Sequence, residues 1–223
     1  MGAQRRMLAS ASHELRSPLT RLRLALELMG GGNRPDLLQS AERDIEELDE
    51  LIDDLLLATR LESTSQLSRT ESVDLRELLS LEAQRVGAHA SGPDATLHGD
   101  GRLLRRMLRN LLENAQRHGE GREIEAQLTV PVNPSDPDVR IRVVDRGPGV
   151  PESERLRIFE PFYRPTGHSE GRDGGVGLGL ALVREIARHH GGDARCLARE
   201  GGGTVFEVDL WDVGLPRDRH GPS

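Results

Sequence analysis

At 223 residues the chain suits one large domain or two small ones, and its formal net charge of −7 argues against a nucleic-acid partner, because phosphate contacts need clustered cations. Aromatic residues make up only 2% and charged residues 30%, so a core must be built mainly from aliphatic side chains. Cys196 is the only cysteine, which favours a reducing compartment, and no apolar run approaches the roughly 18 residues that span a bilayer, so we expect no membrane contact from this segment.

The first 63 residues predict a hairpin of two amphipathic helices. Gly30–32 end the first helix, and Pro35 suits the first turn of the second. Such a hairpin buries little surface alone, so we infer a homodimer in which two hairpins form a four-helix bundle. Packing of the hairpin against a second domain of the same chain is the alternative. Steps of three and four residues mark the expected seams as Leu8, Ala11, Leu15, Leu19, Leu22, Leu26 and Met29, then Ala41, Ile45, Leu48, Ile52 and Leu55.

His13 lies between two seam positions of the first helix and is expected to face outward. An isolated histidine there would be an ordinary surface residue. Pro18, however, leaves the carbonyl of Glu14 without its helical partner, at a cost of about 3 kcal/mol, so the helix accepts a bend one turn past the histidine. Ser17 lies four residues from His13, on the same face.

The apolar periodicity lapses over 63–72, where we place the boundary between a helical unit (1–64) and a second domain (65–212). The second domain is predicted to begin with a strand at 73–75, a helix over 76–90, a strand near 95–98 and a helix over 101–118. Four arginines share one face of the last helix, which we interpret as solvated: Arg102, Arg105, Arg106 and Arg109.

Asn110, Asn114 and His118 follow one another at four-residue steps, away from the expected core face of that helix. An amide oxygen is a hard ligand that suits Mg²⁺, and Arg117 is placed to reach a phosphate. Ordinary polar capping near a helix end is the alternative interpretation.

Two strands, 123–130 and 139–145, come next, and Asp145 ends the second of them. Gly147 and Gly149 follow it. An acid at a strand end, followed by glycines that let a flat ligand approach the backbone, suits recognition of an exocyclic amine such as that of adenine. Asp and Gly are also plain turn residues, so the motif alone is weak.

Phe159, Phe162 and Tyr163 precede a polar, Gly-rich stretch over 166–175, which we interpret as a mobile lid on an aromatic anchor. Glycines at 175, 177 and 179 then open a helix whose first N–H groups suit phosphate. Strands at 193–199 and 204–211 close the sheet, and residues 213–223 are expected to form a disordered tail.

In order and spacing, these motifs resemble the cytoplasmic catalytic core of a bacterial two-component sensor histidine kinase. Residues 10–23 resemble its phospho-acceptor box and 110–118 its asparagine box, while 145–149, 159–162, 175–179 and 202–204 resemble its other nucleotide boxes. The resemblance covers nearly all of 5–211. It implies an α+β fold in which a dimeric helical hairpin precedes a Bergerat-type α/β sandwich that binds ATP.

The resemblance also implies residue roles. His13 would be the phospho-acceptor and Glu14 its general-base partner. Asn114 would ligate Mg²⁺ and Asp145 would bind the adenine amine, with Arg117 near the phosphates. The other residues implied around ATP are Asn110, His118, Gly147, Gly149, Arg164, Gly175, Gly177, Gly179 and Thr204, of which Arg164 would reach the γ-phosphate.

Three positions depart from the commonest family pattern. Ser17 stands where Thr or Asn is usual, at the position linked to dephosphorylating the partner, and its hydroxyl can still orient a water. His118 replaces a frequent Tyr and Arg146 a frequent Asn. The resemblance therefore predicts autophosphorylation of His13 from Mg-ATP, transfer to an aspartate on the receiver domain of a response regulator, and dephosphorylation of that regulator.

Two alternatives stay open. Gyrase-type ATPases, chaperones and serine kinases share the nucleotide fold, but they lack a His-Glu-Leu-Arg-x-Pro helix ahead of the pocket. A non-catalytic or phosphatase-biased dimeric docking module of the same family is the second alternative. The chain begins inside a helical pattern, and the resemblance places a membrane span and a sensor domain upstream, so we expect a cytoplasmic segment of a longer bacterial inner-membrane protein.

Overall fold

The computed structural model describes residues 2–29, 34–63, 69–133, 135–165 and 177–213. Two long helices come first, α1 over Gly2–Met29 and α2 over Pro35–Ser63, as the apolar alternation predicts. No helix in the described ranges is long and apolar enough to cross a membrane. The later elements are β1 Glu71–Asp74, α3 Leu75–Val86, β2 His89–Ser91, β3 Thr96–Gly99, α4 Gly101–His118, β4 Glu125–Thr129, β5 Val139–Val144, α5 Gly179–His189, β6 Asp193–Ala198 and β7 Thr204–Leu210.

The contact between α1 and α2 runs through small side chains, of which Ala11 belongs to the predicted seam. Ala11, Pro18 and Ala25 are buried at seven-residue steps along α1. By contrast, Leu19 is 52% exposed and Leu26 is 58% exposed. In the single chain the predicted positions therefore divide between two surfaces: small residues lie between the two helices, and the central leucines lie on the flank of the hairpin, which a second hairpin would cover in the predicted bundle.

A buried ion pair fixes the register of the hairpin. Arg21 Nε donates to Oδ1 of Asp44 at 2.8 Å, and Asp44 is buried. Because the helices run antiparallel, eight residues back from Arg21 along α1 correspond to eight residues onward from Asp44 along α2. His13 therefore lies level with Ile52 on the hairpin axis.

The second domain is a two-layer α/β sandwich. Its five-stranded sheet has the order β2-β4-β5-β7-β6, with β2 parallel to β4 and the other neighbours antiparallel, and β1 pairs with β3 in a separate ribbon. Alternate residues of β5, such as Ile141 and Val143, are fully buried beneath the helices. The other face carries ion pairs, for example Arg140 with Asp209 at 2.6 Å.

Helix α3 is shorter than the predicted 76–90. It ends at Val86 because Gly87 adopts the left-handed conformation (φ 70°), and the N–H of Gly87 reaches the carbonyl groups of Ala83 and Gln84. The short strand β2 then occupies His89–Ser91, where the sequence predicts helix. The other α-helices and strands given above for this domain differ from prediction only at their ends.

The second half of α2 packs on the second domain. Leu51, Ala58 and Leu61 are buried in the same hydrophobic cluster as the side chains of α4 and α5. In addition, the His189 Nε2 atom lies 2.9 Å from the carbonyl oxygen of Leu61. The alternative in which the hairpin packs on its own second domain is thus realised along this half of α2, while the flank of Leu19 and Leu26 stays exposed.

The predicted disordered tail begins at a residue that contacts the domain. Val213 donates its N–H to the carbonyl oxygen of His98 in β3 at 3.4 Å. The rest of the predicted tail, 214–223, lies outside the described residues.

Candidate functional site

A cleft of about 840 Å³ lies between α4, the start of α5 and the loop after β5, with α2 as a further wall. Its volume is typical of a site for a small organic ligand. Gly147 lies in the loop after β5, while Gly175 and the predicted lid over 166–175 lie outside the described residues. The cleft is lined by the predicted site residues Asn110, Asn114, Arg117, His118, Asp145, Gly149, Arg164, Gly177, Gly179 and Thr204.

Asp145 is held rigidly at one end of the cleft. Its Oδ1 atom accepts the N–H of Gly147 at 2.9 Å and that of Thr204 at 3.2 Å, and the residue is buried. A Cβ at Gly147 would come within 2.0 Å of the carbonyl oxygen of His118, so only glycine lets this loop pack against the end of α4. With Oδ1 engaged, Oδ2 is the oxygen available to accept a hydrogen bond from a ligand amine.

Helix α4 presents its core and its cleft residues on different faces. Leu104 and Leu108 are fully buried on the core face, as predicted. Asn110 is also buried, and its Nδ2 donates to the carbonyl oxygen of Gly179 at 3.2 Å. Asn114, one turn further along, is half-buried and lines the cleft. Asn110 therefore joins α4 to α5, while Asn114 is open to a ligand.

The donor set around Asn114 fits a magnesium ion that is held mainly by a substrate. In the described ranges no group of three or more His, Cys, Asp or Glu side chains is placed to hold a metal by itself. Mg²⁺ usually keeps several waters and takes phosphate oxygens together with one or two protein oxygens. A single amide oxygen beside a cleft large enough for a phosphorylated organic ligand is consistent with that pattern.

The start of α5 suits an anion. Leu178 precedes the helix, and no side chain in the described part of the chain caps its first turn, so the first N–H groups are available to a ligand. Gly177 has φ +80°, and its carbonyl oxygen accepts the N–H of Phe162 at 2.9 Å. That hydrogen bond joins the aromatic anchor, in which Phe159 is buried, to a residue on the far side of the predicted lid.

Helix α2 brings acidic side chains to the cleft. Glu50, Leu51 and Asp54 line it, opposite Arg106 of α4. Arg106 donates to Asp54 Oδ1 from Nε at 3.0 Å and from Nη2 at 2.5 Å. Burial raises the pKa of Asp54, and it also raises the pKa of Glu113, where the nearby Glu50 carboxylate acts in the same direction.

The arginine face of α4 is only partly solvated, so that interpretation is wrong for Arg106 and Arg109, whose side chains retain 25% and 29% of their exposure. Arg106 pairs with Asp54, while Arg105 and Arg109 both reach the buried carboxylate of Glu82 in α3, at 3.4 and 3.2 Å. Sequence reasoning missed Arg106 as a cleft residue. Its position four residues before Asn110 is the signal that places it on the same face.

The predicted acceptor segment lies at the level of the cleft. His13 and Glu14 belong to α1, and their side chains lie outside the described part of the structure. Ser17 is exposed, and its hydroxyl accepts a hydrogen bond from Arg21 Nη1 at 3.1 Å. The cleft-lining residues Glu50 and Asp54 lie on either side of Ile52, the α2 residue level with His13.

Comparison with known families covers most of the chain. Residues 3–64 match the family described as the His Kinase A (phospho-acceptor) domain. Residues 99–213 match the family described as histidine kinase-, DNA gyrase B- and HSP90-like ATPases. The first match contains the predicted acceptor helix, and the second contains every residue predicted to contact the nucleotide.

Individual relatives match along most of this chain. The sensor protein CutS of Streptomyces coelicolor is 35% identical over 93% of this chain and 53% of its own length. The histidine-protein kinase/phosphatase MprB of Mycobacterium sp. strain KMS is 34% identical over 86% of this chain and 40% of its own length. The crystal structure of full-length ShkA in complex with AMPPNP superposes with a TM-score of 0.60 at 28% identity, over 93% of this chain and 47% of that one. The chain thus spans about half the length of these relatives.

Proposed function

Because this chain belongs to the sensor histidine kinase family, whose ATPase part implies ATP binding, we propose that it transfers the γ-phosphoryl group of Mg-ATP to His13. One observation carries the proposal: α2 forms a wall of the cleft at the level of His13. Phosphoryl transfer depends chiefly on positioning and on neutralising the charge of the phosphate oxygens. A nucleotide cleft that meets the hairpin at this level supplies the positioning.

Different cleft residues bind different parts of Mg-ATP. Asp145 Oδ2 accepts the exocyclic amine of adenine, which places the base at the end of α4 near His118. The N–H groups at the start of α5 and the Arg117 guanidinium bind phosphate oxygens. Asn114 provides the amide oxygen for Mg²⁺, which neutralises part of the triphosphate charge when it is bound.

Glu14 controls the proton of the acceptor imidazole. One imidazole nitrogen of His13 forms a bond to the γ-phosphorus while the bond from that phosphorus to the β–γ bridging oxygen breaks and ADP leaves. The carboxylate of Glu14 receives the proton from the other ring nitrogen, so the attacking nitrogen is unprotonated. Adjacent residues on a helix point in different directions, so this contact uses the backbone adjustment that Pro18 allows.

The second step passes the phosphoryl group from His13 to an aspartate on the receiver domain of a response regulator. We also propose that the protein dephosphorylates that regulator. Ser17 presents a hydroxyl one turn from His13, and Arg21 donates a hydrogen bond to that hydroxyl. A serine oxygen held by a cation is suited to orient a water molecule. The relative MprB is itself described as both kinase and phosphatase.

We further propose that the active unit is a homodimer and that the chain is the cytoplasmic segment of a longer inner-membrane protein. The dimer accounts for the leucines on the exposed flank of the hairpin, which a second hairpin would cover in a four-helix bundle. The longer protein accounts for the relatives having about twice the length of this chain. The sensor portion would then act through α1.

Incubation with γ-labelled ATP and Mg²⁺ tests the proposal, with His13→Gln and Asn114→Ala beside the wild type. We expect label that is lost in acid and stable in alkali, and that is absent from both variants. Label that persists in His13→Gln would place the acceptor elsewhere. Nucleotide binding without any label would favour the non-catalytic or phosphatase-biased docking module.

A further inference from the structure

An ion pair between α2 and α4 engages the guanidinium of Arg106 at the edge of the nucleotide cleft. Two of the three donor nitrogens of Arg106 reach the same oxygen of Asp54, and the two side chains retain only 25% and 15% of their exposure. Both residues line the cleft. A carboxylate is a close chemical analogue of a phosphate oxygen pair as a partner for guanidinium.

The position of Arg106 matches the far end of a bound triphosphate. Arg106, Asn110 and Asn114 follow one another at four-residue steps, so each lies about 6 Å further along α4. Asp145 lies near the opposite end of the helix, where Gly147 packs on His118. A nucleotide whose base contacts Asp145 therefore extends its phosphates toward Arg106, which is also the direction of the hairpin.

The charges of this region oppose a triphosphate while the contact is closed. Asp54 neutralises Arg106, and Glu50 and Glu113 add two more carboxylates to the lining. Burial raises the pKa of both Asp54 and Glu113, so the site is already unfavourable for negative charge. Release of Asp54 would remove one carboxylate and expose one guanidinium together.

We propose that Arg106 is a further triphosphate-binding residue, and that Asp54 occupies its guanidinium until the γ-phosphate of ATP replaces the carboxylate. This inference rests on the proposed nucleotide site and adds its regulation. ATP thereby separates the acidic segment of α2 from α4 and opens the edge of the cleft that faces the hairpin. ADP has no γ-phosphate and leaves the ion pair in place.

The remaining contacts between the domains keep this opening local. Leu51, Ala58 and Leu61 stay packed in the common core, and the contact of His189 with the Leu61 carbonyl lies near the end of α2, away from Arg106. The ion pair is therefore a latch at one end of a larger apolar interface.

Calorimetric titration with a non-hydrolysable ATP analogue and with ADP, each with Mg²⁺, tests the latch. We expect Asp54→Asn to tighten the triphosphate analogue about fivefold and to change ADP less than about twofold, because only the triphosphate competes with the carboxylate. Arg106→Gln should weaken the analogue about tenfold and leave ADP within about twofold. Asp53→Asn is the matched control: it removes the same charge from an exposed neighbour that does not line the cleft, and it should change neither affinity.

A second measurement needs no nucleotide. Spin labels at Glu46→Cys and Arg102→Cys, both exposed positions, report the distance between α2 and α4, and the native Cys196 does not compete because burial raises its pKa to about 12. We expect Asp54→Asn to broaden and lengthen the distance distribution. The exchange Asp54→Arg with Arg106→Asp should restore the closed distance, yet it should still bind the triphosphate weakly because α4 has lost its cation.

The outcomes separate this inference from the proposed kinase function. The latch would be overturned if Asp54→Asn and Asp53→Asn gave equal nucleotide affinities and equal distances between α2 and α4, even if His13 is labelled normally. A selective gain of triphosphate affinity in a protein whose His13 stays unlabelled would support the latch and contradict the kinase proposal. Failure of every variant to bind either nucleotide would overturn the coupling to ATP.

Discussion

The side-chain amide of Asn110 donates to the backbone carbonyl oxygen of Gly179 across 3.2 Å. Asn110 belongs to the middle of α4 and Gly179 is the first residue of α5, so the bond fixes the start of one helix on the side of the other. The first turn of α5 is the part that we propose to bind phosphate. Asn110 therefore acts by positioning α5, whereas Asn114 faces the ligand directly.

The substitutions Asn110→Ala and Asn114→Ala should differ in their effects on stability and on nucleotide binding. Loss of the buried bond to Gly179 is expected to lower the free energy of unfolding by about 1–2 kcal/mol and to weaken nucleotide binding both with and without Mg²⁺. Asn114→Ala should keep its stability within about 0.5 kcal/mol and lose mainly the Mg²⁺-dependent part of binding. Urea unfolding and nucleotide titrations with and without Mg²⁺ check both. Identical behaviour of the two variants would contradict these separate roles.

His190 should make the second domain sensitive to acid. Its ring is fully buried, Nδ1 lies 2.8 Å from the Ile186 carbonyl oxygen, and Nε2 accepts the N–H of Asp100 at 3.2 Å, an arrangement that requires the neutral ring. Burial lowers the pKa of His190 below its ordinary value of 6.5. Its contribution to stability is therefore complete above about pH 6.5 and is lost as the pH falls through the lower folded pKa.

Urea unfolding between pH 5 and pH 8 measures this effect. The wild type should lose free energy of unfolding toward pH 5 more steeply than His190→Gln, which has no ring to protonate. Exposed His89, replaced by Gln, is the matched control and should leave the pH slope of the wild type unchanged. Parallel slopes for the wild type and His190→Gln would show that the buried ring does not set the acid limit.

Much of this fold follows from periodic patterns long enough to be unambiguous. Helix α4 is 18 residues long, and the predicted core positions Leu104 and Leu108 are fully buried. Asp145 was placed by a different local signal, an acid at the end of an apolar strand. Such features depend on residues close together in sequence, so an unaligned chain shows them directly.

The features that sequence did not predict depend on residues far apart. Strand β2 has only three residues, too few for an alternating pattern, and it exists because β4 pairs with it. Arg106 becomes a cleft residue only because α2 brings Asp54 against it, 52 positions away along the chain. The predicted seam does not distinguish two surfaces of the hairpin, because each helix has two neighbours in a bundle and hydrophobicity alone does not separate the small-residue contact from the leucine flank.

The ion pair of Arg21 with Asp44 should stabilise the hairpin as well as hold Ser17. Arg21→Gln leaves a buried carboxylate without its cation and is expected to lower the free energy of unfolding by about 1–3 kcal/mol. Replacing both residues by leucine should recover most of that loss, because no charge is then left buried. Urea unfolding of the single and double variants checks this, and equal instability of the two would contradict the argument.

The exposed flank of the hairpin should hold the dimer together. The register fixed by Arg21 and Asp44 places Leu19 beside the level of Ile45 and Leu26 beside that of Leu38, and all four are about half-exposed in the single chain. Leu26→Glu puts a charge where a second hairpin would pack, so light scattering should report one chain mass instead of two. Leu24→Glu is the matched control, because Leu24 is equally exposed but projects about 140° around α1 from Leu19. A wild-type protein that runs as a monomer, or a control variant that dissociates as readily as Leu26→Glu, would contradict a bundle built on this flank.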